Sequence, residues 1–167
     1  MSSAPSKPSA ALDTSARSAA RLAAVQALYQ MDVAGTPLDE IVEEFVQHRF
    51  GQEIEGSVYA QADEAHFAEV VRGVVAEQHE IDNAVNGALA KGWTLVRLDA
   101  TLRAILRAGT YEIRRCKNVP VKVAINEYVD VAHAFFEGDE PGVVNAVLDR
   151  LSAGLHKPGG ARDGASS

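Results

Sequence analysis

The chain has 167 residues, 47% of them hydrophobic, and its 23 acidic and 16 basic side chains leave a net charge of −7. That length suits one domain burying about two-thirds of its unfolded surface, and no apolar run approaches the roughly 18 residues that a membrane span needs. Cys116 is the only cysteine, which excludes an internal disulfide and CxxC metal or redox chemistry.

Residues 1–14 are rich in Ser, Ala and Pro without periodicity and are expected to form a disordered tail. They also lack the apolar core of a signal peptide, so a cytoplasmic location is expected. From Ser15 the composition changes to helix formers, with Leu22, Val25, Leu28 and Tyr29 in a helical stripe and Gly35 as a stop signal. Thr36-Pro37 then predicts a new helix, with Asp39 and Glu40 in its first turn and Leu38, Ile41, Val42, Phe45 and Val46 as its buried stripe. After a polar loop around Gly51–Ser57, Asp63 caps a third helix whose Phe67, Val70, Val71, Val74 and Val75 face inward. A fourth, carrying Ile81, Val85 and Leu89, reaches a break at Gly92-Trp93.

The stretch from Val96 to Lys117 reads as the central helix. Leu98, Leu102, Ile105, Leu106, Gly109 and Ile113 form one apolar face at about 100° per residue. Arg103, Arg107 and Arg114 fall within roughly 40° of one another on a different face. A mid-helix glycine costs about 1 kcal/mol relative to alanine, so a neighbouring backbone is expected to approach Gly109. Two more helices follow: residues 121–136, with Val121, Ile125, Val129, Ala132 and Phe136 on one face, and a last one opened by Pro141, with Val143, Val144, Val147, Leu148, Leu151 and Leu155 pointing inward. Residues 158–167 form a second flexible tail, leaving 15–157 as a single helical body. No segment alternates with period two, so the fold class is all-α with about seven helices.

Charge is segregated along the chain. Asp39 to Asp82 carries twelve acidic and two basic residues, whereas Asn83 to Val123 carries eight basic and two acidic. Such a division places a basic patch on an acidic protein, or neutralises itself internally if the acidic helices lie against the basic one. Arg17 and Arg21 lie one turn apart near the start of the first helix, the end at which the helix dipole disfavours cations. They suit an anionic partner, or stems that cover apolar surface while their heads reach water.

Catalytic signatures are missing from the sequence. The five histidines are scattered outside HExxH spacing, and Walker A, GxGxxG and GxSxG motifs do not occur. Cys116 stands between Arg115 and Lys117, but a lone thiol in such a segment is ordinarily inert. The chain is therefore expected to be no enzyme and to need no metal or cofactor.

The segments TYEIRRCKNVPVKVAINEYVDVAHAFFEGDEPGVVNAVLDRL and AAVQALYQMD, with the arginines ahead of the latter, resemble the NusB transcription antitermination family from about Ser15 to Leu155. The resemblance implies two packed helical bundles and a non-enzymatic, RNA-binding role. It implies partnership with ribosomal protein NusE, joint binding of the boxA segment of nascent RNA, and indirect association with other Nus factors and RNA polymerase. Self-association as a homodimer is a further expectation of the family, and a membrane is not. By the family pattern Arg17 and Arg21 meet RNA, Tyr29 and Phe135 offer faces for unpaired bases, and Asp139 accepts from a base amino group or ribose hydroxyl. The chain departs from that pattern at Ser18 and Ala19, where other members carry further arginines. It also departs at Leu102 (acidic in some members, at the partner interface), Val143 (aromatic elsewhere) and Ala146 (glycine elsewhere). A reading of a different class is a protein–protein scaffold that uses the acidic 39–82 region without touching RNA.

Overall fold

Seven α-helices and one 3-10 turn make up the regular structure among the residues that the computed structural model describes, 9–48, 50 and 63–156. The helices are α1 (Ser9–Ala34), α2 (Leu38–His48), α3 (Glu64–Ala76), α4 (Gln78–Ala88), α5 (Ala100–Arg115), α6 (Val121–Phe135) and α7 (Glu140–His156), with the 3-10 turn at Leu95–Arg97. No strand occurs among these residues, as the sequence periodicity predicts. The expected loop at Gly51–Ser57, residues 1–8 and the 158–167 tail lie outside them. The chain divides into two compact units, one ending at Arg72 and the other starting at Gly73, so the division falls within α3.

In the first unit α1 begins six residues earlier than the composition suggests. Pro8 precedes it in sequence, but SAALDT holds no breaker and alanine is the best helix former, so nothing delays the helix until Ser15. At the other end Gly35 takes φ of 75° and donates its N–H to Met31 O at 3.0 Å, which closes the helix as expected. The buried face of α1 is built chiefly from Ala20, Ala23, Ala24 and Ala27 with Val25 and Leu28, whereas Tyr29 points outward. Thr36 is not the cap of α2. Its hydroxyl accepts from Gln30 Nε2 at 3.4 Å, and Pro37 supplies the carbonyl for the first helical bond, from Ile41 N–H at 2.9 Å. Phe45 of α2 stacks on Phe67 of α3 with centroids 5.3 Å apart.

The second unit is organised around α5, which packs against α4, α6 and α7. Its N-terminal cap is Asp99, three residues beyond the start of the predicted stretch at Val96. The Asp99 carboxylate accepts from Thr101 N–H at 2.7 Å and Leu102 N–H at 3.3 Å, so the side chain ends the helix there. Residues 95–97 instead form the 3-10 turn, pinned by Asn86 Oδ1, which accepts from Leu95 N–H at 2.7 Å. Within α5 the buried carboxylate of Glu112 accepts from the Tyr128 hydroxyl of α6 at 2.7 Å, a satisfied polar pair in an apolar core.

Gly109 is small because side chains crowd it, not because a backbone approaches. A Cβ there would lie 2.8 Å from Leu148 Cδ1 and 3.4 Å from Tyr128 Cδ2. The tighter constraint is Gly73 of α3, which the sequence pattern did not single out: a Cβ there would overlap the Tyr111 ring. Gly87 of α4 faces open space. Gly73→Ala should therefore destabilise the protein by about 2–3 kcal/mol through overpacking. Gly87→Ala should be neutral or stabilising by about 0.5 kcal/mol through helix propensity. Urea unfolding of the two variants checks this, and equal midpoints would contradict the packing described.

Candidate nucleic-acid interface

The basic face of α5 is neutralised inside the second unit. Arg107 donates from Nε and Nη2 to the two oxygens of Asp82, at 2.9 and 3.0 Å. Arg115 Nε lies 2.8 Å from Glu77 Oε2, and Arg114 Nη2 lies 3.9 Å from the other oxygen of the same carboxylate. Arg103 donates to the carbonyls of Val96 and Leu98, at 3.2 and 2.6 Å, and so holds the turn ahead of its own helix. Glu77 and Asp82 belong to the acidic stretch that precedes α5 in sequence. Of the two readings the charge segregation left open, internal neutralisation accounts for these arginines.

The α1 cations are held differently. Arg17 is one-third exposed (34%), and its Nε donates to Asp63 Oδ2 at 3.2 Å. Asp63 Oδ1 accepts from the His66 backbone N–H at 2.9 Å, capping α3 as the sequence predicts. The Asp63 N–H donates in turn to Ala16 O at 3.0 Å. One residue thus joins α1 to the start of α3 through backbone and both carboxylate oxygens. Burial pushes the Asp63 carboxyl up, but the His66 N–H and the Arg17 guanidinium together outweigh it and hold the group below the ordinary aspartate range.

Arg21 is 3% exposed and already interacts within the chain, whereas Tyr29 is 41% exposed. The structure therefore does not present the two arginines as an equivalent pair. Spacing put them one turn apart on the helix, but burial depended on which alanines face the core.

In the second unit Phe135 is 42% exposed at the end of α6, and Asp139 is exposed just ahead of α7. Asp139 borders a cavity of about 370 Å³ whose apolar walls include Trp93, Leu98, Leu102, Val143 and Val147. Ala146 lines it too, so three of the positions at which the chain departs from the family pattern (Leu102, Val143 and Ala146) share one groove. Periodicity does not reveal this groove, because Leu98 continues the apolar stripe of α5 in sequence but lies outside the helix, beside the 3-10 turn. Arg150 donates to Ala88 O and so ties α7 to the C-terminal end of α4 beside the groove. Among the described residues no cluster of His, Cys, Asp or Glu is arranged to hold a metal ion. No described helix is long and apolar enough to cross a membrane.

Known proteins resemble this chain over most of its length. The NusB family model matches residues 18–153, a span that includes Arg21, Tyr29, Phe135 and Asp139 and starts one residue after Arg17. The chain is 60% identical over 136 residues to Transcription antitermination protein NusB of Agrobacterium fabrum, covering 81% of this chain and 82% of that one. It is 57% identical over 136 residues to the protein of the same name from Rhizobium rhizogenes, covering 81% and 85%. Among solved structures, T. maritima NusB superposes with a TM-score of 0.68 at 28% identity, over 82% of this chain and 90% of that one. A structure described as a plectonemic RNA supercoil contains a chain of the same fold, with a TM-score of 0.69 at 24% identity over 81% and 93%.

The Asp63 junction has a defined pH signature. Its folded value is depressed, so the stability it contributes is present above about pH 4 and is lost as pH falls through the folded value. Asp63→Ala should cost about 1–2 kcal/mol at neutral pH, as the loss of a helix cap and its ion pair. The gap between wild type and variant should narrow below about pH 4 in urea titrations. A gap that is constant with pH would show that the carboxylate charge plays no part.

Proposed function

The chain belongs to the NusB family, and from that premise we propose that it is an RNA-binding transcription antitermination factor. In this reading it binds the boxA element of nascent ribosomal RNA together with ribosomal protein NusE and helps assemble the antitermination complex on RNA polymerase. The observation that carries the reading is the 60% identity, over four-fifths of the chain, to a protein named for transcription antitermination. The structure supports it by what it leaves available. On α5, Arg107 gives both Nε and Nη2 to Asp82 and Arg103 bonds local carbonyls, so an RNA strand finds most of its donors and stacking faces elsewhere. Arg17 and Tyr29 on α1, and Phe135 and Asp139 at the α6–α7 turn, are the exposed groups assigned to it. Arg21 is buried within the first unit and supports α1 from inside it.

Each group has a fitting chemistry. The aromatic rings of Tyr29 and Phe135 stack on unpaired bases, which tolerates any base because every base has a π-face. Asp139 carries a negative charge that repels phosphate, so it accepts hydrogen bonds from a base amino group or a ribose hydroxyl. The thin arginine content of α1 around Ser18 and Ala19 leaves the chain dependent on its protein partner for much of the phosphate attraction.

The alternative, a scaffold with no RNA contact, draws on the outward-facing carboxylates of α2, Asp39, Glu40 and Glu43. Titration of labelled boxA-type RNA, with and without the ribosomal partner, separates the two. Binding should tighten with the partner and weaken with salt, log K falling by about 0.7 per phosphate contact for each log unit of salt. Phe135→Ala should cost about 1–3 kcal/mol of RNA affinity if its ring stacks on a base. Partner binding with no RNA affinity in the complex would establish the scaffold instead.

A further inference from the structure

We infer that Asp63 is a positioning residue that makes Arg17 a reader of a nucleobase edge, guanine by its chemistry, in place of a phosphate clamp. The inference rests on the RNA-binding reading above and assigns a specificity to one of its contacts.

The geometry carries it in three steps. First, Asp63 takes Arg17 by Nε alone, at 3.2 Å, and neither Nη group of Arg17 is engaged by a described residue. The guanidinium is planar, so fixing Nε fixes the plane and leaves the two Nη groups as a fork of defined direction. Second, Asp63 is itself held by hydrogen bonds. Its Oδ1 caps α3 through the His66 N–H at 2.9 Å, and its own N–H is bound to Ala16 O, one residue from Arg17. The fork is therefore aimed by two helices, α1 and α3, and not by a mobile side chain.

Third, charge selects what the fork can take. A phosphate on the Nη pair would sit within about one Debye length of the Asp63 carboxylate, roughly 8–10 Å at moderate salt, and would be repelled by it. A neutral base edge with two adjacent acceptors meets no such repulsion, and guanine O6 and N7 offer such a pair to arginine. In single-stranded RNA that edge is open to side chains. Arg17 paired with Asp63 is formally neutral, so its contact releases little counterion, whereas an unpaired arginine on a phosphate adds to the salt dependence.

The test uses the full chain with its ribosomal partner, titrated by anisotropy over a range of salt. The probes are a guanine-containing single-stranded RNA and the same RNA with 7-deazaguanine, which lacks N7. Wild type should prefer the guanine RNA by about 5- to 100-fold. Arg17→Ala and Arg17→Lys should both abolish the preference while leaving the salt slope unchanged, because lysine restores the charge but not the fork. Asp63→Asn should reduce the preference and steepen the slope by about 0.7, as Arg17 becomes a free cation that takes a phosphate. Asparagine caps a helix as well as aspartate does, so this variant keeps the start of α3, which a thermal melt verifies. A slope that flattens by about 0.7 in Arg17→Ala, or equal binding of the two RNAs by wild type, overturns the inference and leaves the RNA-binding reading standing. Failure of the wild-type complex to bind either RNA overturns both.

Discussion

Arg107 and Asp82 meet through two parallel hydrogen bonds, 2.9 and 3.0 Å long, that join α5 to α4. A pair of this geometry is strong among ion pairs because both donors and both acceptors are matched, and it is mostly sheltered from solvent here. With Glu77 taking Arg115, the carboxylates ahead of α5 cancel much of the charge that α5 carries. The segment with the greatest density of arginine in the sequence is a structural spine, and the groups left to meet an RNA strand are few and individually placed.

The two kinds of arginine contact also differ in what they leave behind. Arg107 gives Asp82 both its Nε and an Nη group and so turns its fork inward. Arg17 gives Asp63 only Nε, and its charge is balanced without its donors being exhausted. Charge alone would rank these residues together. By the donors they leave, Arg107 is a strut, whereas Arg17, like the half-exposed Arg115 on Glu77, is held by its carboxylate through Nε.

Much of the fold was legible in the residues. Gly35 ended α1 where a positive φ is needed, Asp63 capped α3, and the apolar stripes of α2 through α7 located every helix. What periodicity could not supply was the start of α5. Leu98 continues the apolar stripe, so the pattern ran past Asp99, and only the carboxylate bonds to Thr101 and Leu102 stop the helix there. Nor could spacing tell that Gly73 faces the Tyr111 ring or that Gly109 faces Leu148 and Tyr128, since these contacts join helices distant in sequence. For the interface, residue types marked the candidates, but burial of Arg21 and capture of Arg17 by Asp63 depend on long-range packing that a one-dimensional pattern does not encode.

The account's central claim, that RNA meets α1 and the α6–α7 turn while the α5 arginines stay occupied within the protein, is tested most directly by amide NMR. The isotopically labelled full chain would be titrated with single-stranded RNA in the presence of the unlabelled ribosomal partner, against a reference of chain and partner alone. The account predicts that the RNA-dependent shifts concentrate around Arg17 and Tyr29 and between Phe135 and Asp139, with Arg107, Arg114 and Arg115 unmoved. Shifts centred on the α5 arginines, with α1 silent, would contradict it.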